Sequence, residues 1–317
     1  MQLTRRRFLV AAFATGLAGG GGSLIATGDP RPAHQWRGAA LGGEARIALY
    51  GASAEEARAA LTAATAEIER LETIFSLHRS DSELSRLNRD GRLAAPSRDL
   101  VECLRAALVW RDQTGGLFDP TIQPLWTLAA SGGTPSPDML ARVGCPVALG
   151  SDSITLPRGA EITLNGIAQG RIADRITELL VAARFTDVVI DTGELRLPGR
   201  TRRAVGIPAA GSAVSVAEVA IATSEPKSLV FDARSFRHHL IDPRTGTSPR
   251  HWQSISVFAP TAETADALST AFALMHHAQV ADHVTKFNNI AVLGADACGR
   301  IRRFGNLKIA GLSNARS

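Results

Sequence analysis

Residues 45–75 read ARIALYGASAEEARAALTAATAEIERLETIF, and their pattern predicts the first strand and the first long helix of the chain. The opening alternation, with Ala45, Ile47 and Leu49 on one side, predicts a β-strand. Ser53 followed by Glu56 is the pattern of a capping box, which predicts that a helix begins there. That helix carries an apolar stripe at spacings of four and three residues: Ala57, Leu61, Ala64, Ile68, Leu71 and Phe75.

Similar patterns predict the rest of the fold. Further helices are expected from Ser97 to the Gly115-Gly116 pair, from about Gly166 through Leu180, and over about 264–277. The strand-like runs are 188–190, 214–221, 254–258, 290–293 and 301–309. Because helices and hairpin-like strand groups mix without regular alternation, the pattern favours an α+β fold with mixed or antiparallel sheets over a doubly wound sheet. No internal linker is evident, so we predict a single compact domain over residues 39–313.

The N-terminus has the pattern of an export signal. Arg5, Arg6 and Arg7 precede Phe8-Leu9, a short apolar run and several glycines, which together indicate a secretory signal peptide. The paired arginines are typical of the twin-arginine route, so we predict a signal over residues 1–27, a linker over 28–38 and a periplasmic protein. The glycines argue against the alternative of a membrane-anchoring helix, which needs about 20 predominantly apolar residues.

The charge balance excludes one large class of partner. The formal charge of +5 falls to about +2 once the three signal arginines are removed, so nucleic-acid binding is not expected. The cysteines, Cys103, Cys145 and Cys298, are far apart and show no metal-binding spacing.

Three segments have polar residues and glycines where an apolar pattern is interrupted. They are FSLHRSDSELSRLN at 75–88, GLFDPT at 116–121 and TLNGIAQGRIAD at 163–174. Taken alone, the first favours a solvated loop followed by a short helix capped by Asp81 or Ser82. The second is equally consistent with a structural turn. The third leads from a strand into a glycine-containing helix start, where exposed N–H groups suit a phosphate.

Two later segments carry the chemistry of a hard metal ion. HLIDPRTG occupies 239–246 and ADALST occupies 265–270. On a helix Asp266 and Thr270 lie four residues apart and share a face. A carboxylate beside a hydroxyl suits Mg²⁺ better than Zn²⁺. The alternative is purely structural, with the Thr270 hydroxyl bonded to its own helix and Asp266 at the helix start.

The order of these five segments resembles the ApbE family of FAD:protein FMN transferases. The resemblance extends from about Ala40 to the last strand, and the segments at 239–246 and 265–270 are the most specific. It implies a T-fold-like α+β domain that binds FAD in a cleft with Mg²⁺ at the diphosphate. The implied reaction transfers FMN from FAD to a Ser or Thr hydroxyl of a target protein and releases AMP.

The resemblance also implies roles for individual residues. The metal ligands would be Asp266, Thr270 and the Gly166 carbonyl, and His239 and Asp242 would lie near the scissile phosphate. His239 is the candidate base, because its ordinary pKa lies near neutrality, with the adjacent His238 as an open alternative. The residues implied in contacts with FAD are Leu41, His78, Ala129, Ala130, Ser131, Thr163, Gln169 and Ile241.

Several positions depart from the family pattern. Leu41 and His78 stand where the family has Met and Tyr, Thr163 where a carboxylate is common, and Gln169 where Glu or Lys is usual. Glu225 replaces a turn glycine, and residues 191–194, DTGE, replace a Gly-Gly-Asp/Asn loop. Two alternatives therefore stay open: an FAD-binding assembly protein without activity, and an FAD pyrophosphatase that yields FMN and AMP. A periplasmic or respiratory flavoprotein would be the target, and no permanent membrane anchor is expected after signal cleavage.

Overall fold

An eight-stranded antiparallel sheet forms the centre of the molecule. The computed structural model describes residues 33–232, 234 and 236–305. In sheet order the strands are β1 (Ala33–Ala40), β2 (Gly43–Tyr50), β6 (Val188–Asp191), β7 (Leu195–Leu197), β10 (Val219–Ser224), β13 (Trp252–Ala259), β14 (Ala291–Asp296) and β15 (Ile301–Gly305). Three smaller sheets accompany it: β3 (Arg92–Ala94), β5 (Ser153–Thr155) and β4 (Ala148–Leu149); β8 (Arg203–Ile207) with β9 (Ser212–Val216); and β11 (Val230–Asp232) with β12 (Arg237–His238).

The described residues contain eight α-helices, of which the first and the last three pack against the central sheet. They are α1 (Ala54–Phe75), α2 (Glu83–Asp90), α3 (Arg98–Gln113), α4 (Gln123–Ala130), α5 (Pro137–Leu140), α6 (Ala168–Ala182), α7 (Ala262–Ala273) and α8 (His277–Val284). Within the described ranges, none of them has both the length and the hydropathy needed to cross a bilayer.

The sheet buries apolar side chains on both faces. On β2, Ile47 and Leu49 belong to the main core with the helices, whereas Ala48 belongs to a second cluster beneath the β8–β9 ribbon. Since successive strand residues point to opposite faces, a strand covered on both sides becomes apolar along its length. On β10, Ala220 and Ala222 likewise face the helices and Ile221 faces the ribbon.

Helices α6 and α7 cap each other at their N-termini. The Asp174 carboxylate of α6 accepts hydrogen bonds from the N–H groups of Ala262 and Glu263, at 3.0 and 2.9 Å. In return, Asp266 Oδ2 of α7 accepts from the Gly170 N–H in the first turn of α6, at 3.1 Å. A carboxylate at a helix N-terminus is stabilising because it meets unpaired N–H groups and the positive end of the dipole. This exchange fixes the two helix starts against each other.

The first helix is as predicted, with Ser53 and Glu56 forming a reciprocal capping box. Two boundaries were wrong. The run 214–221 is not one strand, because the chain turns at Glu218, whose φ is +49°, and so separates β9 from β10. The helix expected to reach 277 ends at Ala273, and α8 begins separately at His277. The α+β class is confirmed. Residues 33–38, which were predicted as a linker, instead belong to β1, so the strand predicted as the first of the chain is the second, β2. The predicted signal, residues 28–32 and the last residues of the 301–309 strand lie outside the described residues.

Candidate active site

A small cavity of about 60 Å³ lies where four of the five segments singled out from the sequence meet. Its lining includes five residues predicted from the sequence: Thr163, Gly166, His239, Ile241 and Thr270. The other lining residues are Leu117, Phe118, Asp119, Pro120, Ile122, Leu240, Pro243 and Leu274. A larger, open depression of about 480 Å³ lies elsewhere, around Trp36 and Arg58, and contains none of the predicted site residues.

Gly166 and Thr270 are in close contact at one end of the cavity. A Cβ atom at position 166 would lie 2.8 Å from Thr270 Oγ1 and 3.2 Å from the Phe118 ring. Glycine is therefore what allows the backbone of the 163–167 turn to approach the threonine hydroxyl. The two residues, which were predicted to contribute ligands to the same metal ion, lie 104 positions apart in the chain. The packing of α7 against this turn brings them together.

Asp266 lies one helical turn before Thr270 and is almost completely buried, with 3% of its surface exposed. Burial raises the pKa of this carboxyl to about 8, although the Gly170 N–H partly offsets that effect. A carboxylate, a hydroxyl and a backbone carbonyl are hard oxygen donors, so these residues fit Mg²⁺ chemically. Among the described residues, no group of three or more His, Cys, Asp and Glu side chains could hold a metal. The fit therefore depends on the mixed set of oxygen donors.

His239 is partly exposed and lines the cavity. Its Nδ1 lies 3.3 Å from the Leu229 carbonyl oxygen; because a carbonyl can only accept, this contact assigns the proton to Nδ1 and leaves a lone pair on Nε2. Desolvation lowers the pKa of His239 to about 4. The imidazole is therefore neutral at pH 7.

His238 is in a different environment. It is buried, and its Nε2 lies 2.9 Å from the Pro249 carbonyl oxygen. Ser248 Oγ accepts a hydrogen bond from the His238 N–H and donates one to the His238 carbonyl. It is not among the residues that line the cavity. Of the two adjacent histidines, the geometry favours His239 as the reactive one.

The Asp242 carboxylate organises a turn beside the cavity. It accepts hydrogen bonds from Arg244 Nε and Nη2 at 3.0 and 2.7 Å and from the Arg244 N–H at 2.9 Å. The Asp242 N–H donates to the Thr247 carbonyl, closing the turn. The flanking residues Ile241 and Pro243 line the cavity, but Asp242 does not.

Leu41, His78 and Gln169 come together at the tip of the β1–β2 hairpin. A Cβ at Gly42 would lie 3.5 Å from the His78 ring, and one at Gly43 would lie 2.8 Å from Gln169 Nε2. The Leu41 N–H donates to Glu72 Oε1 at 2.7 Å. Gln169 precedes Gly170, the residue bonded to Asp266, so this group adjoins the Asp266 end of the site.

The predicted contact segment Ala129, Ala130 and Ser131 lies farther from the cavity. It forms the end of α4, where Ser131 Oγ donates to the Leu128 carbonyl. Arg237, two residues before His239 in the chain, donates a hydrogen bond to the carbonyl of Gly133 at 2.7 Å. This hydrogen bond connects the loop that follows α4 to the segment that carries His239.

The sequence reasoning missed two residues that position the cavity wall. The Asn88 amide donates to the Ile162 carbonyl and accepts from the Ile162 N–H, both at 2.8 Å, directly before Thr163. Asp119 Oδ1 accepts from both the N–H and the hydroxyl of Thr121, at 2.8 and 2.7 Å. Both residues lie in segments where polar residues interrupt an apolar pattern, and this interruption is the sequence signal that could have identified them.

Comparison with known proteins shows the family of the chain. A profile of the ApbE family matches residues 41–293, which is most of the chain. The chain belongs to the ApbE family. An FAD:protein FMN transferase of Treponema pallidum is 30% identical over 276 residues, covering 73% of this chain and 75% of the relative. One of Haemophilus influenzae is 28% identical over 254 residues, covering 69% and 72%.

Solved ApbE structures share the fold. The ApbE protein of Thermotoga maritima matches with a TM-score of 0.76 and 24% identity, covering 86% of this chain and 97% of that one. The flavin transferase ApbE of Vibrio cholerae matches with a TM-score of 0.71 and 23% identity, with the same coverage. The resemblance inferred from the five segments is therefore confirmed, as is the predicted ApbE fold.

Proposed function

We propose that this ApbE-family chain is a Mg²⁺-dependent enzyme that transfers FMN from FAD to a Ser or Thr hydroxyl of another protein and releases AMP. One observation carries the proposal: Thr163, Gly166, His239, Ile241 and Thr270, from three distant segments, line one cavity beside the buried Asp266. The names of the curated relatives support the same class of enzyme.

The Asp266 carboxylate, the Thr270 hydroxyl and the Gly166 carbonyl would hold the Mg²⁺ ion. When bound, Mg²⁺ neutralises charge that develops on a diphosphate under attack. A cation also compensates the buried Asp266 carboxylate, which otherwise has only the Gly170 N–H as a partner in the described structure. Holding the diphosphate at this end of the cavity would place its phosphorus atoms near His239.

His239 would accept the proton of the acceptor hydroxyl at Nε2. As that proton leaves, the hydroxyl oxygen forms a bond to the FMN phosphorus, and the bond from this phosphorus to the oxygen of AMP breaks. A pKa of about 4 makes His239 a weak base in the free protein, but a dianionic diphosphate nearby raises the pKa of an imidazole. The donor itself would thereby strengthen the base.

The cavity walls would exclude water, and they also limit what fits. Leu117, Phe118, Leu240 and Ile241 are buried apolar residues of the lining. About 60 Å³ is far below the roughly 300–1,000 Å³ of small-molecule sites. FAD binding therefore requires the walls to separate or most of the donor to lie outside the cavity.

One assay tests the proposed function against its alternatives. The chain is incubated with FAD, Mg²⁺ and a peptide that carries a Ser or Thr acceptor, and the products are separated. Covalently fluorescent peptide with AMP supports the transferase. Free FMN with AMP and an unlabelled peptide would support the pyrophosphatase, and bound but intact FAD would support the assembly protein.

We also propose export to the periplasm by the twin-arginine route. The support is the Arg5-Arg6-Arg7-Phe8-Leu9 sequence. Replacing Arg5, Arg6 and Arg7 with lysine should retain the chain in the cytoplasm of a bacterial host with a working twin-arginine system. Unchanged periplasmic recovery would contradict this route.

A further inference from the structure

Glu194 is a buried carboxylate that the proposed function does not use. It directly precedes β7 and is 7% exposed. The backbone N–H of Thr223 on β10 favours its charged form, but its Oε2 has no hydrogen-bond partner. Because an unpaired buried carboxylate oxygen costs free energy, such an atom calls for a donor that the protein itself does not supply.

Glu194 belongs to a loop that packs on the first turn of α6. Thr192 Oγ1 donates to the Gln169 carbonyl at 3.0 Å, and a Cβ at Gly193 would lie 2.6 Å from Gln169 Nε2. The next residue, Gly170, donates its N–H to Asp266. The loop that carries Glu194 is therefore separated from the Asp266 carboxylate by a single turn of helix.

The strand that follows Glu194 also leads to α7, the helix that carries Asp266. Leu195, the residue after Glu194, pairs with Ile221 on β10. Three residues later on β10, Ser224 Oγ lies 2.9 Å from Ser269 Oγ on α7. Ser269 is one turn from Asp266 and adjacent to Thr270. Glu194 thus borders the gap between β10 and the polar face of α7.

The charges around Glu194 are negative. Within the described part of the chain, the charged groups that act on Glu194 are the carboxyl groups of Asp266 and Asp191. Arg46, which lies opposite Asp191 in the pairing of β2 with β6, lowers the pKa of Asp191. Two arginines of α6 and β7 are paired with other carboxylates: Arg171 with Glu102 and Glu263, and Arg196 with Asp174. Buried charges of one sign are normally paired or neutralised by a cation.

We propose that Glu194 is an outer carboxylate of the cation site, whose Oε2 accepts a hydrogen bond from a water molecule bound to the divalent ion held by Asp266, Thr270 and Gly166. This inference rests on the proposed function and adds a positioning residue to it. Mg²⁺ usually keeps several of its waters, and carboxylates outside the ligand shell commonly orient the ligands.

The test measures Mn²⁺ binding to the full chain without FAD, by paramagnetic resonance of the free ion. Glu194→Gln keeps the shape but removes the charge, so we expect the Mn²⁺ affinity to fall about tenfold or more. The melting temperature without metal should stay the same or rise, because a buried charge with an unpaired oxygen has been removed. The stabilisation that added Mn²⁺ produces should shrink.

Asp191→Asn is the matched control. It lies in the same loop, and its Oδ1 already accepts from the Gly193 N–H at 3.2 Å, so it should cost clearly less Mn²⁺ affinity than Glu194→Gln. Equal losses in the two variants, or wild-type affinity in Glu194→Gln, would overturn the inference. A wild-type chain that binds no Mn²⁺ would overturn it too. If wild type binds Mn²⁺ but transfers no FMN, the transferase proposal fails, and Glu194 is still judged by the Mn²⁺ comparison.

Discussion

Gly166→Ala tests the contact on which the candidate metal site depends. No positive φ constrains this glycine, so alanine is compatible with its backbone conformation. The added Cβ would instead meet Thr270 Oγ1 at 2.8 Å, the Phe118 ring at 3.2 Å and Thr270 Cγ2 at 3.3 Å. Because α7 is packed against α6 and the sheet, the threonine cannot withdraw without moving the helix. The strain therefore falls on the two groups that are proposed to hold the cation.

Overpacking of this kind costs about 1–3 kcal/mol. At roughly 2–4 °C per kcal/mol for a domain of this size, the melting temperature should fall by about 2–12 °C. Mn²⁺ binding should weaken in parallel, since Thr270 Oγ1 and the Gly166 carbonyl are pushed apart. Differential scanning calorimetry and a Mn²⁺ titration measure the two effects separately.

Two further variants make the result specific. Gly43→Ala also introduces a 2.8 Å contact, but with the end of the flexible Gln169 side chain, so it should cost much less. In Gly166→Ala/Thr270→Ala the clashing hydroxyl and methyl are gone; the stability should largely return, whereas Mn²⁺ binding should not. A Gly166→Ala variant with wild-type stability and Mn²⁺ affinity would refute the proposed proximity.

Three other outcomes are expected. His239→Asn should lower the rate of FMN transfer by about 10²–10⁴-fold. His238→Asn, which changes a residue outside the cavity lining, should lower it far less. Equal losses in single-turnover assays would contradict the assignment of His239 as the base. The neutral form of His239 is the active one, and its pKa is lowered to about 4 in the free protein. We therefore expect kcat/KM to rise with pH through about 4 and to stay level near neutrality. A rise centred near pH 6.5 would argue against the desolvated environment of His239. Asn88→Ala leaves the Ile162 N–H and carbonyl without their partner and should cost about 1–3 kcal/mol in urea unfolding; an unchanged midpoint would show that the contact is dispensable.

Local features of the chain were predictable from the sequence. The capping box at Ser53 and the apolar stripe after it specify α1, since the interacting residues lie three or four positions apart. The shared face of Asp266 and Thr270 follows from the same helical period. Boundaries failed where the deciding event was a single backbone turn, as at Glu218 between β9 and β10.

Contacts between distant segments were decided by packing. Asn88 meets Ile162 across 74 positions, and Asp266 caps the first turn of α6 across 96; no periodic pattern links such residues. The placement of His239, but not His238, in the cavity lining and the proximity of Glu194 to Asp266 likewise follow from the way the elements pack on the sheet. Residue types and helical spacing encode which groups are available for chemistry, but only the burial of helices against strands, driven by apolar surface, sets which of them meet.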